Sequence, residues 1–185
     1  MSISEISNSV KRQLNLEGKS IAITGGAGYL GVKFAEAVAE MGGKPLLVDL
    51  NEKSLMNASE KLSSENYKNH SSYVVDISSE KNCKLIFEKM WFENNGIDVL
   101  INSAALTKSG IEKDSSSFFA PFEETNQKLW DLGLKINLTA TQLSCKIIGS
   151  KMAKKKYGSI INIASDIGVI SPNQTIYEKD DSGYE

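Results

Sequence analysis

The apolar run Ile21-Ala22-Ile23 passes directly into Thr24-Gly25-Gly26-Ala27-Gly28-Tyr29-Leu30-Gly31, and a helical pattern follows at once. A strand, a glycine turn and a helix start in that order restrict the chain to a small set of folds. Gly26, Gly28 and Gly31 fall at the G-x-G-x-x-G positions. Missing side chains there permit a tight turn, let backbone N–H groups approach a pyrophosphate, and allow the helix to pack closely on the strand. The helix N-terminus then faces the anion. A bare glycine pattern says little. The strand before it, the helix after it and Asp49 at the end of the next apolar run meet the conditions for a dinucleotide site. The alternative is a glycine-rich turn that binds nothing.

The rest of the chain repeats the same beat. After the loop, Leu30, Phe34, Val38 and Met41 form one apolar face of a helix that ends at Gly42-Gly43. Residues 45–49 are almost wholly apolar, as expected for a strand buried on both faces of a parallel sheet. Asn51 can cap a helix to about residue 64, and residues 72–76 give a third strand closed by Asp76. Ser78 or Ser79 caps the next helix, with Cys83, Leu85, Ile86, Met90 and Trp91 as its buried side, and Gly96 leads to a fourth strand over 97–101. Beyond Asn102-Ser103-Ala104-Ala105 lies a long loop containing Ser115-Ser116-Ser117-Phe118-Phe119, a candidate for substrate contacts because loops of this length are usually functional or disordered. A helical pattern over 125–152 carries Leu129, Leu132, Ile136, Leu143 and Ile147, and Tyr157-Gly158 introduces a fifth strand over 159–164. At the start, Ile3, Ile6, Val10 and Leu14 have roughly helical spacing, which fits a short amphipathic leader or a frayed end.

Five strands alternating with helices indicate an α/β fold, a doubly wound parallel sheet of the Rossmann type, in which ligands bind at the carboxyl ends of strands near the switch point. The glycine loop, Asp49, Asp76, Asn102 and Ser165 all fall at such ends, so they read as one site. With no internal repeat or linker, the 185 residues divide into a leader at 1–17, a cofactor-binding core at 18–165 and the start of a substrate loop at 166–185. A net charge of -2 gives no electrostatic reason to expect nucleic acid or an acidic membrane as partner. No apolar run reaches signal-peptide or transmembrane length, and the two cysteines, Cys83 and Cys145, form no C-x-x-C, so a reducing cytoplasm is expected. His70, the one histidine, lies in a polar loop and reads as a surface residue, and no metal site is indicated.

Asp49 lies eighteen residues after Gly31, where a carboxylate can accept hydrogen bonds from both adenosine ribose hydroxyls and repel a 2'-phosphate. NAD is therefore favoured over NADP. A carboxylate that merely ends a strand is the plain alternative. Asp76-Ile77 can hold adenine by an acceptor and an apolar face, or Asp76 can cap the following helix.

Thr24 to Gly31, Asp49, Asp76, the Asn102-Ser103-Ala104-Ala105 tetrad, Asn137 within Lys135-Ile136-Asn137-Leu138, and Gly158-Ser159-Ile160-Ile161-Asn162-Ile163-Ala164-Ser165 together resemble the short-chain dehydrogenase/reductase family in order and spacing. The likeness runs from about residue 17 to 171. It implies an NAD(P)-dependent oxidoreductase that passes hydride between nicotinamide and a carbonyl or secondary alcohol of a small-molecule substrate. Gly25, Gly26, Gly28, Tyr29, Leu30, Gly31, Asp49, Asp76, Ile77, Asn102 and Ala104 would hold the cofactor. Ser165 would hydrogen-bond the substrate oxygen, and Asn137 would stabilise a helix kink and a water-linked proton relay. Ser165 as a helix cap and Asn137 as an exposed helix residue are the bland readings. The family commonly forms dimers or tetramers, so the full-length parent is expected to be a homo-oligomer.

The sequence also departs from the family pattern. Tyr29 replaces a glycine of the commonest loop, and the spacing Gly25, Gly28, Gly31 looks more like the extended branch, whose members include sugar-nucleotide epimerases and dehydratases. Ser103 and Ala105 replace the second asparagine and the glycine of the tetrad. Residues 165–178 resemble members associated with surface-polysaccharide or flagellin sugar modification. The family's general acid is a tyrosine followed four positions later by a lysine, which brings the phenol nearer to neutral pH. Tyr177 is followed by Asp181, Tyr184 by a single residue, and Tyr29 with Lys33 fits the spacing inside the glycine loop, away from substrate. The expectation is a C-terminally incomplete chain, inactive alone; the competing readings are a non-catalytic nucleotide-binding module and a sugar-nucleotide epimerase or dehydratase of the extended branch.

Overall fold

The computed structural model describes residues 13–106 and 122–170. Strands β1 (Ser20–Thr24), β2 (Lys44–Asp49), β3 (Ser71–Val74), β4 (Val99–Asn102) and β5 (Ser159–Asn162) form one parallel sheet in the order β3-β2-β1-β4-β5. Between them run helices α1 (Tyr29–Glu40), α2 (Glu52–Ser64), α3 (Glu80–Glu93), α4 (Gln127–Gly133) and α5 (Ala140–Lys155). The chain lays β1, β2 and β3 in one direction, then returns past β1 to add β4 and β5. The switch point therefore lies between β1 and β4. This is the expected doubly wound architecture.

Alternation along the strands builds two cores. On one face Ile21, Ile23, Leu47 and Ile101 meet Ala35 and Val38 of α1 and Leu55, Ala58 and Leu62 of α2. On the other, Ala22, Leu46, Val48, Tyr73 and Leu100 meet Cys83, Phe87 and Met90 of α3 and Leu143, Ile148 and Met152 of α5. Because helices cover both faces, the inner residues of β1 and β2, Ile21 to Ile23 and Leu46 to Val48, are apolar without alternation. Each fully buried leucine, isoleucine or phenylalanine here contributes about 1.5–3 kcal/mol.

Some expected helix faces are rotated. α1 buries Gly31, Ala35 and Val38, while Leu30 is 47% exposed. Only small residues fit where this helix crosses the glycine loop, so Leu30 turns outward, while Phe34 packs at the core margin as expected. In α3 the buried stripe is Cys83, Phe87 and Met90, and Leu85, two residues from Cys83, points to solvent. The helix expected over 125–152 is broken: Leu134–Thr139 is a π-helical turn between α4 and α5. The wide turn shifts the phase of the apolar stripe, so Ile148 is fully buried and Ile147 lies at the core margin. The third, fourth and fifth strands also differ from expectation by one or two residues at their ends. His70 is half-buried, with Nδ1 2.9 Å from the Tyr67 carbonyl oxygen.

β5 forms a sheet edge and is exposed along its length, with Ile160, Ile161 and Ile163 among the exposed apolar residues. An apolar, uncovered edge strand is prone to association. Of the leader, Leu16 packs on the α1 side and donates its N–H to the Met41 carbonyl at 2.8 Å. Its Ile3, Ile6 and Val10, the loop around Ser115 to Phe119, and Tyr177, Asp181 and Tyr184 lie outside the described residues. No helix among the described residues is long and apolar enough to cross a membrane, and no group of three metal-ligating side chains occurs among them.

Candidate functional site

Because all five strands run parallel, their carboxyl ends share one rim. Thr24 lies across from Val48 and Asn102, Asp49 from Val74, and Asn102 from Asn162. The glycine loop stands at the centre of this rim, at the switch point. The Gly28 N–H donates to the Gly25 carbonyl at 3.0 Å, and the Gly26 N–H donates to the Val48 carbonyl at 3.0 Å. Gly25 has φ +65°, and a Cβ there would lie 2.8 Å from the Ala104 Cα. A Cβ on Gly31 would collide with the Gly25 carbonyl oxygen, and one on Gly26 would lie 2.9 Å from the Leu47 Cα. Packing within the chain thus accounts for these three glycines.

Gly28 is different. It is exposed, its φ of -75° and ψ of 170° suit any residue, and a Cβ would meet only the Gly25 carbonyl oxygen at 3.2 Å. The loop therefore leaves an open cradle that a side chain would fill. Gly28 gives α1 no capping side chain, and the first turn holds no acidic residue. The N–H groups of Tyr29, Leu30 and Gly31 have no intrahelical acceptor, and with the helix dipole they suit an anion such as a pyrophosphate. The Tyr29 and Leu30 side chains are exposed, so their contribution to this cradle is their backbone.

On the β2 side, Asp49 Oδ2 accepts the Ala27 N–H at 3.1 Å and Oδ1 accepts the Asn51 N–H at 3.2 Å. The carboxylate therefore touches the glycine loop. Next along the rim, Asp76 Oδ1 accepts the Ser78 N–H at 2.9 Å, closing a turn, while Ser79 caps α3. Cys83 Sγ–H donates to the Ile77 carbonyl at 2.9 Å. Burial, reinforced by the charges of Asp76 and Glu80, pushes the Cys83 thiol up to about 11, so it remains a protonated donor beneath this turn.

On the β4 side, the Thr24 hydroxyl oxygen accepts the N–H groups of Ser103 at 3.2 Å and Ala104 at 3.3 Å. The Asn102 side chain is buried in a polar network. Its Nδ2 donates to Asn162 Oδ1 at 2.8 Å and to Cys145 Sγ at 3.3 Å, and its Oδ1 lies 2.6 Å from Ser144 Oγ. Ser144 has one proton and also approaches the Thr141 carbonyl at 2.9 Å; the shorter contact to Asn102 takes the larger share. Asn137 sits in the π-helical turn, and its Oδ1 accepts the Leu106 N–H at 2.7 Å. A mainly apolar cavity of about 320 Å³ opens beside it, lined by Leu106, Leu129, Trp130, Leu134, Asn137 and Leu138. Ser165 follows β5 on the same rim and donates its hydroxyl to Asp166 Oδ1 at 3.3 Å.

The rim thus holds the glycine loop, Asp49, Asp76, Ile77, Asn102, Ala104 and Ser165, and Asn137 is tied to it through Leu106. Sequence reasoning gave no role to Thr24, Ser144, Cys145 or Asn162. The pairing of Asn102 with Asn162 is implied only once β4 and β5 are known to be in register, and Ser144 gives no local signal at all. Ser144→Ala is expected to lower stability by about 1–3 kcal/mol, because it leaves the buried Asn102 amide oxygen short of its donor. Ser150, whose hydroxyl donates to the Ile147 carbonyl on an exposed part of α5, is the control, and its alanine variant should stay within about 0.5 kcal/mol. Urea unfolding of both variants checks this; equal stabilities would remove the network from the energetics.

A parallel sheet with this order, with a glycine loop at the switch point and a carboxylate closing β2, places the chain in the doubly wound, Rossmann-like α/β class. The profile of the short chain dehydrogenase family matches residues 19–178, and the chain belongs to that family of oxidoreductases. It is 29% identical over 168 residues to D-threitol dehydrogenase of Mycolicibacterium smegmatis, covering 91% of this chain and 60% of that one. It is 31% identical to the short chain dehydrogenase/reductase dpmpG of Macrophomina phaseolina, with 82% of each chain covered. Among solved structures, NAD+-bound xylitol dehydrogenase superposes with a TM-score of 0.75 at 27% identity, over 86% of this chain and 57% of that one. The chain thus spans about 60% of the length of the threitol and xylitol enzymes.

Proposed function

We propose that the chain is the cofactor-binding portion of an NAD-dependent oxidoreductase acting on a small molecule that carries a secondary alcohol or carbonyl. The observation that carries this reading is the Asp49 carboxylate at the end of β2, hydrogen-bonded at 3.1 Å to the Ala27 N–H of the glycine loop. It stands beside the phosphate cradle, where adenosine ribose hydroxyls can donate to it and a 2'-phosphate is repelled. The N–H groups of Tyr29, Leu30 and Gly31 would hold the pyrophosphate, Asp76 and Ile77 the adenine, and Asn102 and Ala104 the remainder of the cofactor. When bound, the cofactor supplies the hydride acceptor or donor.

Ser165 orients the substrate oxygen by its hydroxyl. Asn137 fixes the π-helical turn through its Oδ1 on the Leu106 N–H and leaves its Nδ2 donors to hold a water in a proton relay. The threitol and xylitol dehydrogenases among the relatives favour a polyol-like secondary alcohol over the surface-sugar or flagellin-modification role suggested by residues 165–178. The setting is the cytoplasm, with a homo-oligomeric parent. The test is to titrate the chain with NAD and with NADP by calorimetry. NAD is expected to bind at least about tenfold tighter, a difference of roughly 1.4 kcal/mol. Equal affinities would take Asp49 out of the ribose site.

A further inference from the structure

We propose that Asp49 is also a positioning residue for the phosphate cradle: its carboxylate latches the glycine loop to the end of β2, a task separate from receiving the ribose. This rests on the reading of the rim as a dinucleotide site. The two carboxylate oxygens accept N–H groups from two different loops, Ala27 of the β1–α1 loop at 3.1 Å and Asn51 of the β2–α2 loop at 3.2 Å. Each oxygen keeps a second lone pair for a ribose hydroxyl. Upstream, the loop is held to β2 by the Gly26 N–H on the Val48 carbonyl at 3.0 Å. Downstream, among the described residues, the Gly28 N–H bonds the Gly25 carbonyl at 3.0 Å and the Gly28 carbonyl accepts the Val32 N–H of α1 at 3.0 Å, neither of which reaches β2. Ala27 is thus the second point at which the loop is held to β2, directly before the open position Gly28. A carboxylate acceptor makes that attachment a charge-assisted hydrogen bond, of the stronger kind.

The latch changes what charge removal should do. If Asp49 only met the ribose, losing its charge would relieve repulsion of a 2'-phosphate, and NADP affinity would rise. With the latch, the cradle loosens and NADP affinity falls together with NAD affinity. Asp49→Ala removes both acceptor oxygens; Asp49→Asn removes the same charge but keeps one oxygen for one of the two N–H groups. The experiment compares wild type, Asp49→Ala and Asp49→Asn as the full chain. It measures Ala27 amide hydrogen exchange by residue-resolved spectroscopy, affinities for NAD and NADP, and thermal unfolding to establish that each variant is folded.

The expected result for Asp49→Ala is Ala27 exchange faster by roughly tenfold or more and weaker binding of both dinucleotides, with Asp49→Asn intermediate in each. A fall in both affinities by the same factor, with the faster exchange, supports the latch and removes the ribose contact. Unchanged Ala27 exchange, NADP affinity that rises in Asp49→Ala, or identical behaviour of the two variants would overturn the latch. So would the absence of saturable NAD binding by the wild-type chain.

Discussion

Valine at position 28 is expected to abolish dinucleotide binding by a chain that still folds. The fold itself asks little of Gly28: its backbone is extended, it is exposed, and an added Cβ would meet only the Gly25 carbonyl oxygen at 3.2 Å, a contact tight by no more than a few tenths of an ångström. The side chain would instead fill the cradle between the loop and the uncapped start of α1, where a pyrophosphate is to sit. Affinity for NAD should fall by about 100-fold or more, close to 3 kcal/mol, while the unfolding midpoint shifts by only a few degrees. Calorimetric titration and thermal melts of Gly28→Val read both quantities. Wild-type affinity in the folded variant would show that nothing approaches the loop at this point.

Gly31→Val should do the opposite, damaging the fold before the site. A Cβ at this position would collide with the Gly25 carbonyl oxygen and lie 2.8 Å from the Gly26 Cα, both backbone atoms of the tight turn. Neither can swing aside as a flexible side chain would. α1 must lift from the sheet, loosening Ala35 and Val38 from the core they share with Ile21 and Ile23. Overpacking of this kind costs about 1–3 kcal/mol and sometimes more, which for a chain of this size lowers the midpoint by roughly 3–10 °C. A melt that matches wild type would mean that α1 does not cross the loop this closely.

The contrast between these two glycines shows what is legible in such a chain. All the loop glycines are visible as a spacing, and that spacing with the apolar run before it and the helical pattern after it indicates strand, turn and helix. It cannot separate the glycine demanded by packing from the one left open to solvent, because that depends on Gly25 and Gly26 folding back under α1. Asp49 could be placed at the end of β2 from its apolar run, and the alternation of strands and helices gave the parallel sheet. The helix faces were harder. Leu30 and Leu85 look like core residues by composition, yet the stripes that fit the sheet run through Gly31-Ala35-Val38 and Cys83-Phe87-Met90. The helix distortion at Asn137 is expected from the family resemblance, as a kink, but not from the periodicity of 125–152, because the contact that accompanies it is tertiary: Asn137 is bonded to Leu106, thirty-one residues away. The polar network of Asn102, Ser144, Cys145 and Asn162 is hidden for the same reason, since three elements must assemble before its members meet.

If one rim of the sheet holds a dinucleotide, the residues along that rim must respond to it together. The most direct measurement is a residue-resolved NMR titration of the isotope-labelled chain with NAD, run in parallel on Gly28→Val. Saturable shifts are expected at residues 25–31, at Asp49, at Asp76 and Ile77 and at 102–104, with the response lost in the variant. No saturable shifts in the wild type, or shifts confined to the outer faces of α2 and α3 with Gly28→Val responding equally, would contradict a dinucleotide site on this rim.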